Sequence, residues 1–262
     1  MTPLTLPIDE VVKFCVLLTR IGGIMVFFPF FSSLNIPVTL RVAFVLGLSA
    51  LLHPVLAPSL GVPPLHAWSL AWLVAGELLI GMTIGLISRF LFAAFELAGQ
   101  LLGFQMGFSM INAIDPQTSV QSTVLSVSQS LVALLIFIGL DSHHWLIRTV
   151  CDSFTYLAPL RVQLPGVVAD AMVRMAAEMF VLGFRLAAPV LVVLVLTDVV
   201  FAIVGRAAPQ VQILLVGLPL KSWLGFFLLG TSFYFVPSLM LDYLTTLHVQ
   251  VEALLRRMAA PL

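Results

Sequence analysis

Between Val11 and Val236 the chain is a succession of apolar runs, several as long as the ~20 residues a helix needs to cross a bilayer. That length rules out most soluble architectures. Charged residues make up only 9% of the 262 positions, against roughly 25% in a soluble domain. With 61% hydrophobic residues and a mean hydropathy of +1.14, the chain reads as an integral membrane protein. The expected fold is all-α: one helical bundle, or a set of hairpins, over residues 1–262. A formal net charge of zero leaves no basic surface for nucleic acid. The start MTPLTLPIDEVVK lacks a basic n-region, and no small-residue cleavage site follows the first apolar run. That run is therefore expected to be retained. Cys15 and Cys151 lie far apart among apolar neighbours, so buried free thiols are expected.

The apolar pattern divides into about six helices or helical hairpins. The first spans about Val11 to Phe31 and ends at Pro29 and Ser32-Ser33. The second spans about Val38 to Leu56, bounded by Pro54 and Pro58; the loop from Ala57 to Pro64 is the clearest turn signal. A third runs from Trp68 past Phe95. A fourth covers Leu131 to Leu140, stops at Asp141-Ser142-His143-His144 and continues as a weaker helix to Leu157. A fifth spans about Val167 to Val204, Arg206 to Gln210 makes a break, and the last apolar run covers Val211 to Val236. A short amphipathic tail ends in Arg256 and Arg257. The third and fifth segments exceed one crossing, so they tilt or extend beyond the membrane as packed hairpins. The most basic loops carry Arg148, Arg161 and Arg174, and Arg256 and Arg257; a six-span count puts both on the cytoplasmic side.

One stretch, Leu97 to Ser130, departs from this pattern. It holds one charge, Asp115, and many neutral polar groups. Gly99, Gly103 and Gly107 recur at every fourth position. Gln100, Gln105, Ser109 and Asn112 fall near one helical stripe, and Ser119, Ser122, Ser126 and Gln129 form another after Asp115-Pro116. Lipid cannot solvate such groups, so irregular backbone at membrane depth must pack in protein or line water. The stretch implies a partner-filled interior or an aqueous path. The glycine series, like Gly81 and Gly85, fits close helix approach. Phe104, Met106, Phe108 and Met110 are apolar pairs at i, i+4. A core stripe is the plain reading and a soft, deformable seal the sharper one.

Glu77, Arg89, Glu96, Glu178, Arg185, Asp198 and Lys221 lie within apolar segments. A charge at mid-bilayer costs roughly 2.5–3.5 kcal/mol on insertion scales, so it pairs or faces water. Arg174 and Glu178, four apart, can pair directly. No acidic pair recurs at relay spacing, which favours paired charges at helix contacts over a proton relay. His143-His144 could suggest a metal, but adjacent histidines face different sides of a helix and no third ligand has suitable spacing. Surface histidines are expected, with no metal or cofactor. There is no HExxH and no GxSxG, and no serine has an obvious base, so catalysis is not expected.

Three sets of residues carry a resemblance. Gly76-Glu77-Leu78-Leu79-Ile80-Gly81, then Gly99-Gln100-Leu101-Leu102-Gly103-Phe104-Gln105-Met106-Gly107, then Asp115-Pro116 resemble the central part of the FliR family of flagellar export-apparatus subunits, whose injectisome counterparts are called SctT. Gly139-Leu140-Asp141-Ser142-His143-His144-Trp145-Leu146 is similar to that family's loop before a His-Trp pair. Arg206-Ala207-Ala208-Pro209-Gln210 is similar to its Arg-x-Ala-Pro-Gln motif. The resemblance covers most of the chain in order.

It implies an all-helical export-gate subunit, a FliP-like plus FliQ-like arrangement of helices. This subunit would assemble with FliP-like, FliQ-like and FlhB-like subunits at the flagellar basal body in the bacterial inner membrane. It also implies a plug at about Phe108 to Gln121. The pore and plug residues carried over are Phe104, Met106, Gly107, Phe108, Met110, Asn112, Asp115, Pro116, Gln117, Ser119 and Gln121. Glu77, Gly99, Gly103, Arg206, Pro209 and Gln210 carry over as structural positions. The implied function is passage of unfolded flagellar proteins, with Gln105-Met106-Gly107 nearer the flagellar than the injectisome form. The competing class is a lone small-molecule or ion permease. That class calls for matched broken helices in corresponding halves, and the chain shows one interrupted region.

Overall fold

A computed structural model describes residues 8–28, 36–58, 60–61, 66–108, 124–157, 165–210 and 213–259. The described residues form eight helices: α1 Ile8–Phe27, α2 Val38–Leu56, α3 Ala67–Gln105, α4 Val124–Gly139, α5 Ser142–Tyr156, α6 Pro165–Ala207, α7 Ile213–Ser232 and α8 Val236–Ala259. The two long apolar segments are continuous helices of 39 and 43 residues, about 60 Å each at 1.5 Å per residue. Two sequence boundaries need correction. The fourth helix starts at Val124 rather than Leu131, because Ser126 and Gln129, the described members of the polar stripe, are helical and face inward. The amphipathic tail is a 24-residue helix in its own right, separated from α7 by a turn at residues 233–235.

Four helices are long and apolar enough to cross a membrane: α2, α3, most of α6 and α7. Five qualify if α4 and α5, bent by 73° at their junction, count as one broken span. The six-span count is thus not met among the described residues, and the orientation drawn from it falls too. The chain is nevertheless a multi-pass membrane protein. The bend has a local cause. Asp141 has φ 54, in the left-handed region, which Asp adopts more readily than most residues.

The chain divides into two compact units. One comprises Met1–Phe90, Asp141–Met175 and Thr246–Leu262; the other comprises Leu91–Leu140 and Ala176–Thr245. In the first, α1 packs on α2 and crosses α3 at glycines. A Cβ on Gly81 would lie 2.2 Å from the Arg20 carbonyl oxygen, and one on Gly85 would lie 2.6 Å from that of Ile24. Backbones come this close only where side chains are absent. Arg20, wholly buried, sits at this crossing. Its Nε donates to Glu77 Oε2 at 2.5 Å, its Nη1 to Ser153 Oγ at 3.1 Å, and its Nη2 to the Leu157 carbonyl at 3.2 Å. The guanidinium also lies 3.8 Å from the Phe154 ring centroid. One cation thereby joins α1, α3 and the end of α5.

Further along the same unit, the Trp145 indole N–H donates to His248 Nδ1 on α8. The Tyr156 hydroxyl and the Arg256 guanidinium both donate to Glu252 Oε1 and hold that carboxyl below its usual range. In the second unit α4 meets α3 at Gly99, where a Cβ would lie 2.5 Å from Ser126 Cα. The thiols are free, but Cys15 is exposed and Cys151 half-buried. The expectation of two buried thiols fails because the buried face of α1 is set by Val16, Leu17, Arg20, Ile21 and Ile24, and Cys15 falls outside it.

Candidate functional site

The C-terminal end of α3 is where the described part of the polar stretch is built. The helix stops at glycine. Gly107 has φ +88, its N–H donates to the Phe104 carbonyl at 3.1 Å, and the Phe108 N–H donates to the Gly103 carbonyl at 2.9 Å. These two bonds make a Schellman cap, which closes a helix while turning the chain away from its axis. Gly103 is buried and enters the cap through its carbonyl.

Side chains then hold this end on α6 and α7. Met106 is 1% exposed and fills the space beside Gly225, where a Cβ would lie 2.7 Å from its Cε. Ser222 Oγ lies 3.1 Å from the Met106 carbonyl and 3.0 Å from that of Leu218, so its one O–H is shared between them. Phe108 meets Phe226 edge-on with ring centroids 5.8 Å apart. Asp198 on α6 accepts on both oxygens at 2.6 Å, from Gln105 Nε2 and from Lys221 Nζ. A half-buried charge pair with a third hydrogen bond satisfies both ions locally. The two charges read from sequence are paired at a helix contact, as expected, and Gln105 is the member that spacing could not have supplied.

Of the residues carried over, Met106, Gly107 and Phe108 are brought together here. Phe104 is 71% exposed and stands apart from them. Met110, Asn112, Asp115, Pro116, Gln117, Ser119 and Gln121 lie outside the described residues. Gly99 and Glu77 sit at helix contacts. Arg206, Pro209 and Gln210 are exposed at the end of α6, and Arg206 makes no hydrogen bond or ion pair with any described residue. The histidine pair differs from expectation, since Asp141 joins it: one ligand atom from each of Asp141, His143 and His144 lies within 4.8 Å of the others. Asp141 and His144 are exposed, as surface groups would be. Sequence reading missed Arg20 as the partner of Glu77, 57 residues away. Its burial on α1 amid Leu17, Ile21 and Ile24 was the available signal.

The Gly107 cap carries a prediction. An L-residue in a left-handed conformation costs about 1–2 kcal/mol, so Gly107→Ala should loosen the end of α3. Amide hydrogen exchange at Phe108, whose N–H closes the cap, should speed up about 5- to 30-fold, the equivalent of that energy. Unchanged exchange would mean the cap does not limit local opening.

Comparison with known proteins agrees with this architecture. Residues 11–247 match the family described as "Bacterial export proteins, family 1". The chain is 33% identical to the flagellar biosynthetic protein FliR of Bacillus subtilis, over 85% of this chain and 86% of that one. It is 29% identical to FliR of Escherichia coli over 81% of each chain. FliR of Caulobacter vibrioides is 30% identical over 81% of this chain and 85% of its own. The chain belongs to family 1 of the bacterial export proteins, the family of the flagellar biosynthetic protein FliR.

Proposed function

We propose that the chain is a structural subunit of the flagellar type III export gate in the bacterial inner membrane. It forms part of the wall of a pore for unfolded flagellar proteins, and the segment from Phe108 to Gln121 keeps that pore shut. Its neighbours in this reading are FliP-like, FliQ-like and FlhB-like membrane subunits, the work of energising export falls to partners, and residues 1–262 act as one gate domain. The observation that carries the reading is the anchored end of α3. The helix is capped at Gly107, packed through Met106 and Phe108, and tied through Asp198. That gives a firm base for the polar stretch that follows, rich in serine, threonine and glutamine with Asp115 as its one charge. A neutral polar lining also suits the cargo. It solvates a passing backbone without trapping chains of either charge.

The test is to shorten the stretch from Ile111 to Ser119 in cells that make the full partner set. Complex yield should stay near the parent level while the membrane becomes leaky to ions and small solutes. Normal assembly with a membrane as tight as the parent's would assign the stretch to a static subunit contact instead.

A further inference from the structure

Among the described residues, Arg185 is a cation without a counter-charge. It is the one charged residue between Glu178 and Asp198, in the middle of a 40-residue membrane-spanning candidate. It is exposed, and it makes no hydrogen bond or ion pair with any described residue. The contrast within the protein is direct. Arg20 is clamped by a carboxylate, a hydroxyl and a carbonyl, and Asp198 by Gln105 and Lys221. An arginine does not shed its proton to escape an apolar setting, and a charge within a span requires a partner or water.

The surroundings narrow what that partner is. Arg185 lies on an outward stripe of α6 with Val181, Ala188, Val192 and Val195, all exposed and small or β-branched. Such residues let a neighbouring helix approach closely. Pro189, one turn on, has no N–H to give to the Arg185 carbonyl, so this position offers an unclaimed acceptor beside its unclaimed donors. Arg185 and Pro189, with Leu186 and Val190, line one wall of a cavity of about 150 Å³, whose far side includes Leu228, Thr231 and Phe235.

We infer that Arg185 is an assembly contact: it takes an aspartate or glutamate carboxylate from a membrane helix of a neighbouring subunit laid along this stripe. A planar guanidinium suits a carboxylate through two parallel hydrogen bonds, and the apolar flanks would exclude water from the pair. An anionic lipid phosphate is the competing occupant. It is disfavoured because it has no close-packing helix to match the small-residue stripe. The inference uses the export-gate reading only to choose the neighbours.

The experiment compares the parent with Arg185→Leu, Arg185→Lys and Arg185→Glu, each made with the partner membrane subunits, by yield of intact complex. Arg185→Leu should leave the isolated subunit as folded as the parent, since no bond to a described residue is lost, yet lower complex yield at least tenfold. Arg185→Lys should fall between. Arg185→Glu should abolish assembly and be restored when one partner carboxylate is changed to arginine. Parental complex yield from Arg185→Leu overturns the proposal, and loss of a bound anionic lipid in native mass spectrometry alongside that yield assigns the site to lipid. Misfolding of the isolated Arg185→Leu and Arg185→Lys subunits also overturns it, by showing an internal role. Failure of every carboxylate reversal to rescue Arg185→Glu rejects the ion pair. A parent chain that, made together with the partner subunits, purifies without any of them rejects both this proposal and the export-gate reading, whereas a normal complex with Arg185→Leu rejects only this one.

Discussion

Glu77→Leu is expected to destabilise the protein by about 3–5 kcal/mol, the usual consequence of leaving one member of a buried ion pair alone. Arg20 would keep its bonds to Ser153 and the Leu157 carbonyl, but no anion would balance it. Arg20→Met should cost less. The stranded Glu77 carboxyl can take up a proton, which a guanidinium cannot mirror by losing one. The double change Arg20→Met with Glu77→Leu should recover most of the loss, because apolar replacements of similar volume often match a buried pair. Thermal unfolding in detergent reads all three. A drop of about 10 °C is expected for Glu77→Leu, on the scale of roughly 2–4 °C per kcal/mol for a chain of this size. Equal losses for the single and double changes would mean that packing, and not charge, holds this crossing together.

How far the sequence could be read follows from which forces act locally. Helices longer than a crossing declare themselves through composition, since lipid demands unbroken apolar runs, and α3 and α6 were legible for that reason. Gly81 and Gly85 were legible as a packing face because small residues four apart mark close approach. Gly107 was legible only as a member of the close-approach glycine series, and its φ of +88 adds a helix-ending role that spacing does not show. Pairings were not legible. Nothing in the spacing of Arg20 and Glu77, or of Gln105, Asp198 and Lys221, joins residues on separate helices, since the fold alone chooses which faces meet. The α8 helix was read as a short tail because its alternation of charged and apolar groups falls below what membrane-span patterns detect. In the structure those groups divide its surface: Val251, Leu254, Leu255 and Met258 are buried, while Arg256 and Arg257 are exposed.

Gly81→Ala is expected to separate α1 from α3, although it adds only a methyl group. The new carbon would meet the Arg20 carbonyl oxygen at 2.2 Å and the Gly23 Cα at 3.1 Å. Both are backbone atoms, so no rotamer change can relieve the clash. Overpacking of this kind costs about 1–3 kcal/mol where a core can adjust. Here the adjustment itself does damage, because Glu77 lies one helical turn before Gly81 and holds Arg20 on the same face. Moving the helices apart by an ångström or so stretches a 2.5 Å charged hydrogen bond between two buried side chains. Gly81→Ala should therefore approach the cost of Glu77→Leu. Adding it to the Arg20→Met, Glu77→Leu background should cost only the steric part. Gly76→Ala provides the control on the same helix. A Cβ there meets nothing within 4 Å, and alanine favours helix over glycine by about 1 kcal/mol, so that change should be neutral or slightly stabilising. If Gly81→Ala unfolds at the same temperature as the parent, α1 and α3 are not held at this glycine crossing, and the Arg20–Glu77 pair keeps its geometry without it.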